Sequence, residues 1–138
     1  MNIKVKAINP EKLDYYWNDC KKYIEEGLGY ADSKYSLADI YRSLTDKDMI
    51  LWLVYNHNKL IAAIITEIIC YPQEKRLGYF AVAGEDFDQW FHVGQEIEAW
   101  AKTEGCKAVE FYGRPGWLKK LQGKGYELTH ICMRAPIL

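Results

Sequence analysis

With 138 residues, 49% of them apolar and 14% aromatic, the chain can bury one core without metals or disulfides, and its composition excludes a disordered or low-complexity protein. A formal net charge of -1 excludes the broadly basic footprint of a nucleic-acid-binding domain. The longest apolar run, LIAAII, is far too short to cross a bilayer, so neither nucleic acid nor membrane is expected as a partner.

Taken in chain order, Ile3–Ile8 alternates apolar and polar residues as a half-buried strand does. Asn9 caps a helix whose first residue is Pro10; Leu13, Tyr16, Trp17, Cys20 and Ile24 form its apolar stripe, and Gly27 stops it. A second helix opens on Ser36 and Asp39 in capping-box spacing and turns Leu37, Ile40, Tyr41 and Leu44 to one side. Met49–Tyr55 and Leu60–Tyr71 read as a hairpin across the turn NHNK, and Lys75–Ala83 extends it into a meander. A long amphipathic helix is then expected from a cap at Asp86 to a stop at Gly105, with Gly94 in its middle allowing close packing on the sheet. KAVEFY is a strand, GWLKKLQ a short helix, and YELTHICMRA a last strand.

The order is β-α-α-β-β-β-α-β-α-β in one domain over residues 1–138. A meander followed by strand, helix and strand predicts an α+β, three-layer α/β/α architecture around a mixed, mainly antiparallel sheet. Cys20, Cys70, Cys106 and Cys132 are widely spaced, without a C-x-x-C, which reads as scattered thiols in a reducing compartment. The N-terminus reads as a strand and helix start rather than a signal peptide, so a cytoplasmic location is expected. His57, His92 and His130 have no partner at ligand spacing, and no metal site is expected.

This element order resembles the GNAT acetyltransferase fold over nearly the whole chain. GWLKKLQGKGYE is similar to the GNAT segment in which a short helix leads to a Gly-aromatic pair, here Gly125 and Tyr126. More narrowly, LWLVYNHNKLIAAIITEI, LGYFAVAGEDFDQWF, IEAWAKTEGCKAVEFYGRPGW and GKGYE together resemble the GNAT-like proteins of tailed phages. The resemblance implies a binding or assembly module, acting in virion morphogenesis or host interaction, with a phage or host protein as partner. Such a protein would reside in the host cytoplasm or the virion. The alternative it implies is an acetyl-CoA-dependent N-acetyltransferase.

In GNAT enzymes the loop after the fourth strand grips the cofactor's pyrophosphate through an R/Q-x-x-G-x-G/A pattern and the following helix dipole. The matching stretch here is AVAGEDFDQW, which places Val82, Ala83 and Gly84 as the candidate cofactor-binding backbone. It has one glycine and no Arg or Gln before it, while Glu85, Asp86 and Asp88 bring negative charge that repels phosphate. No cofactor is therefore expected, and acetyl-CoA is the cofactor if the enzyme reading holds. The Gly125–Tyr126 match puts Leu121 where the family's acidic tyrosine sits, and leucine donates no proton. For a general base the nearest carboxylates are Glu67, inside an isoleucine-rich run, and Glu110.

Charge divides sharply along the chain. Residues 107–124 hold five basic side chains and one acid, whereas residues 85–104 hold six acids and one lysine. These runs form two walls of a ligand cleft, a self-association surface, or two solvated faces. Within GRPGW the turn presents Arg114, whose rigid fork suits either a phosphate or an ion pair with Glu67 or Glu110.

Overall fold

The computed structural model describes residues 2–30 and 34–138. Strand β1 (Ile3–Ala7) leads through a 3-10 turn (Pro10–Lys12) into α1 (Leu13–Gly27), followed by α2 (Leu37–Thr45). Strands β2 (Ile50–Asn56), β3 (Lys59–Cys70) and β4 (Lys75–Gly84) come next, then α3 (Phe87–Trp90), α4 (Gly94–Thr103), β5 (Cys106–Phe111) and α5 (Gly116–Leu121). The sheet runs β1-β2-β3-β4-β5, antiparallel except where β5 joins β4 in parallel. It is a mixed α+β sheet with helices on both faces.

Period-two alternation in the strands divides the apolar residues between two cores. Leu13, Cys20 and Ile24 of α1 and Ile40 and Leu44 of α2 pack on Leu51, Leu53, Ala63 and Ile65. On the opposite face Trp90, Val93, Ile97 and Ala101 pack on Trp52, Val54, Ile64, Leu77 and Val82. Each fully buried Leu or Ile contributes roughly 1.5–3 kcal/mol of transfer free energy, so both helical layers are held chiefly by these stripes. Local signals agree with that packing. Asn9 Oδ1 accepts from Glu11 N at 3.0 Å, and Ser36 and Asp39 close a capping box. His57 takes the left-handed conformation (φ 56°) that the tight β2–β3 turn requires.

Two expected elements take another form. The long helix is divided into α3, a 3-10 turn (Phe91–Val93) and α4. Asp86 caps nothing: it sits in the left-handed region (φ 52°, ψ 54°) with no side-chain bond to the helix. Trp90 is buried to 2% exposure and donates its indole N–H to the Glu85 carbonyl at 2.6 Å, and the 3-10 turn follows directly before Gly94 restarts the helix. Tertiary burial of one indole thus overrides a continuous helical stripe. The expected last strand is not formed either, because residues 126–138 pair with no strand. Leu128 lies on one face of that segment and Ile131 and Met133 on the other, so neither face is decisively apolar and its register is weakly specified.

Candidate functional site

The sheet forks between β4 and β5. They pair from Lys75 and Cys106 to Tyr79 and Phe111, and Tyr112 N donates to the Tyr79 carbonyl at 3.2 Å. Beyond that bond β5 turns away into α5 while β4 continues beside β3 alone. One backbone edge of residues 81–84 therefore has no strand partner among the described residues. At the fork, Ile65 pairs with Ala81 and Thr66 with Tyr79, leaving Phe80 as the extra residue of a β-bulge.

On the α3–α5 side the fork is filled. Tyr79 and Phe111 lie 5.9 Å apart between ring centroids, Phe111 and Trp117 4.8 Å, and Phe87 and Trp117 4.9 Å. Phe87 comes from α3 and Trp117 from α5, so their edge-to-face contact spans the diverging ends of β4 and β5. Lys124 adds a bridge to Asp88 at 3.7 Å and stands 5.5 Å over the Phe91 ring, joining the basic run to the acidic one. Beneath them Tyr79 Oη donates to Glu98 Oε2 at 2.7 Å. Burial and the nearby Glu98 push the Tyr79 phenol far up, so it stays protonated.

On the α1–α2 side the lower half of β3, β4 and β5 carries polar side chains. Glu110 is the organised carboxylate, only 15% exposed. Arg76 Nη1 donates to its Oε1 at 2.9 Å, while Tyr71 Oη (2.8 Å) and Tyr112 Oη both donate to its Oε2. Burial alone would raise its pKa, but the hydrogen bonds from Tyr112, Tyr71 and Arg76 outweigh it and hold the carboxyl below its ordinary range. Arg76 also binds Glu74 through Nε at 2.5 Å. Glu67 lies beside this group in a different state. Burial, and then the Glu110 charge, push its carboxyl above the ordinary range. Gly78 makes the floor between them: a Cβ there would stand 2.9 Å from Ile69 Cδ1 and 3.4 Å from Glu67 Cγ. The two neighbouring carboxyls are thus driven in opposite directions, Glu67 toward its protonated form and Glu110 toward its ionised one.

The fork thus brings Glu67 and Glu110 together and leaves Arg114 outside. The arginine that pairs with Glu110 is Arg76. Arg114 is exposed, and its Nη1 lies 3.3 Å from where a Cβ on Gly29 would stand, so it rests on the segment that follows α1. Val82 and Ala83 are buried strand residues, and Gly84 pairs with Ala62. A Cβ at Gly84 would fall 2.4 Å from Ala62 Cβ, so the neighbouring strand already requires glycine there. Glu85 N is used by the Ile61 carbonyl at 2.9 Å, and the Glu85 carboxylate pairs with Lys59 at 3.6 Å. With carboxylates at its start and only four helical residues in α3, this loop does not fit a pyrophosphate. Tyr71 and Tyr112 carry no distinguishing signal in the sequence, since they are members of a tyrosine-rich chain at strand ends. Leu121 is buried, which fixes it as a packing residue.

No family model matches the chain, and no curated protein sequence matches it. Solved structures do. An aminoglycoside acetyltransferase from an uncultured soil metagenomic sample matches over 100% of both chains, with a TM-score of 0.73 and 10% identity. AAC(6')-Iy, solved with a bisubstrate analog of CoA and acetylneamine, covers 100% of this chain and 99% of its own at a TM-score of 0.68 and 14% identity. A GNAT family acetyltransferase of Staphylococcus aureus covers 99% and 100% at a TM-score of 0.64 and 16% identity. At these identities the likeness is one of fold, and the fold is GNAT. No helix among the described residues is long and apolar enough to cross a membrane.

Proposed function

We propose that this chain is a GNAT-fold binding module that works without acetyl transfer. The observation that carries the reading is the Phe87–Trp117 contact, which fills the α3–α5 side of the fork between the strand ends of β4 and β5. The loop chemistry supports it: Glu85, Asp86 and Asp88 stand where a CoA pyrophosphate would need positive charge. The resemblance to the GNAT-like proteins of tailed phages gives the module its setting, with a phage or host protein as partner in virion assembly or host interaction. Its place of action is then the host cytoplasm or the virion.

Isothermal titration with acetyl-CoA and CoA at low salt tests this. The expected result is no heat and no thermal shift at millimolar ligand. Micromolar binding that weakens on Arg114→Ala would overturn it.

A second reading, acetyl-CoA-dependent N-acetyltransferase, is favoured by one observation, the paired carboxyls at Glu67 and Glu110 beside the fork. In that reading Glu67 takes the proton from an acceptor ammonium, since a raised carboxyl pKa makes a stronger base near neutral pH. Glu110 then stays ionised, and its charge favours proton uptake by Glu67. Acetyl-CoA would supply the acyl group. Acetylation of an amine panel that disappears in Glu67→Gln would establish this reading over the first.

A further inference from the structure

We propose that the groove between the β1–α1 and α2–β2 connections binds an aliphatic carboxylate, its alkyl chain on the groove floor and its carboxylate at Lys47. The last link between β1 and β2 is the bond from Ile8 N to the Leu51 carbonyl at 2.9 Å. Beyond it the two connections separate, and the groove opens between them with a volume of about 470 Å³. That lies within the roughly 300–1,000 Å³ of small-molecule sites. Leu13, Leu44 and Leu51, the most deeply buried of its lining, form the floor, and Ile8 and Met49 line it at the rim. None of the lining residues belongs to β4 or β5, so the site is separate from the fork.

The polar groups at the groove select the ligand's head. Lys47 is the only charged residue of the lining. Asp46 and Asp48 flank it in the chain, yet among the described residues its ammonium makes no ion pair or hydrogen bond. Asn9 accepts from Glu11 N through Oδ1 at 3.0 Å, which leaves its Nδ2 hydrogens without a partner. Both unpaired side-chain groups are donors, a set that suits the acceptor oxygens of an anion and offers nothing to an ammonium. The main chain fixes Lys47 at this place. Lys47 N donates to the Leu44 carbonyl at 3.3 Å and Asp48 N to the Ser43 carbonyl at 2.9 Å, the paired bonds of a Schellman motif closing α2. Lys47 therefore takes φ 65° at a position that glycine or asparagine adopts more readily. A lysine there brings to the groove a cation that the turn itself does not require.

The test is amide NMR of the full chain titrated with sodium octanoate below its micelle concentration, with octanol as the uncharged control. Octanoate is expected to give saturable shifts confined to residues 7–13 and 44–51, and octanol to bind about tenfold more weakly or worse. Lys47→Gly and Lys47→Asn both suit the left-handed backbone, so each is expected to fold as the native chain does and to lose about tenfold or more in octanoate affinity. Shifts centred on the fork, the absence of saturable shifts, equal binding of octanol, or undiminished affinity in the folded Lys47 variants would each overturn the assignment. None of these outcomes depends on whether CoA binds.

Discussion

The two sides of the fork between β4 and β5 are made of opposite materials. On one side Tyr79, Phe87, Phe111 and Trp117 interlock and a lysine–aspartate bridge crosses them. On the other, Glu67, Arg76, Glu110 and Tyr112 stand on a sheet face that α1 and α2 leave partly open. Aromatic rings joining two helices stabilise the fork by area and shape, and that stabilisation hardly changes with pH. The polar side depends on which carboxyl holds a proton, so it changes with pH and with any ligand that brings charge. The fork is thus divided into a side held by aromatic packing and a side held by charged hydrogen bonds.

The largest effect should come from the aromatic side. Replacing Phe87 and Trp117 together by Ala removes two half-buried rings and should destabilise the protein by roughly 2–4 kcal/mol in denaturant unfolding. It should confer no affinity for CoA, because the carboxylates of the loop remain; micromolar binding by this double variant would show that the rings alone had closed a working cofactor channel.

A smaller loss is expected on the polar side. Glu110→Gln keeps the shape but removes the charge that Arg76 and both tyrosines address, and should cost about 1–3 kcal/mol at neutral pH. Because the folded-state pKa of Glu110 is depressed, its contribution is present above the ordinary carboxyl range and is lost as pH falls through the folded value. Native and Glu110→Gln unfolding curves should therefore converge in acid; a constant gap down to pH 2–3, roughly two units under an ordinary glutamate, would mean that packing dominates.

Glu67→Gln should have the smallest effect and the opposite sign. A raised folded-state pKa means that the neutral carboxyl stabilises the fold below its ordinary range, and that this is lost as pH rises through the folded value. The glutamine variant should melt a few degrees above the native protein at neutral pH and equal it in acid. A lower melting temperature at neutral pH would place Glu67 in a favourable ionised contact instead.

The reach of sequence reasoning differs between these sides for a physical reason. Asn9, Ser36 with Asp39, and the NHNK turn act within a few residues, and the structure reproduces each of them. The first five strands and their order along the chain also follow from local periodicity, whereas their order across the sheet is set by pairing between distant residues. The broken helix was not legible, since the bend depends on Trp90 finding the Glu85 carbonyl in a buried setting. Glu67 and Glu110 could be singled out as carboxyls in apolar strands. Their proximity, and the choice of Arg76 over Arg114 as the ion-pair partner, depend on three strands lying side by side. Phe87 meeting Trp117 is likewise a contact between elements separated by an entire helix and strand.

The bulge at Phe80 has a consequence for how this strand varies under mutation. Leu77 and Tyr79 face α4 below it, whereas Val82 does so above it, and Phe80 and Ala81 both face α1. Odd positions therefore serve one layer in the first half of β4 and even positions serve it in the second, much as an inserted base shifts a reading frame. Each half carries its own grammar of inside and outside. Substitutions that are interchangeable within one half become inversions when carried across the other, and a lineage that lost this one codon would recover a single frame along the whole strand, with Arg76 and Leu77 on the faces they now hold.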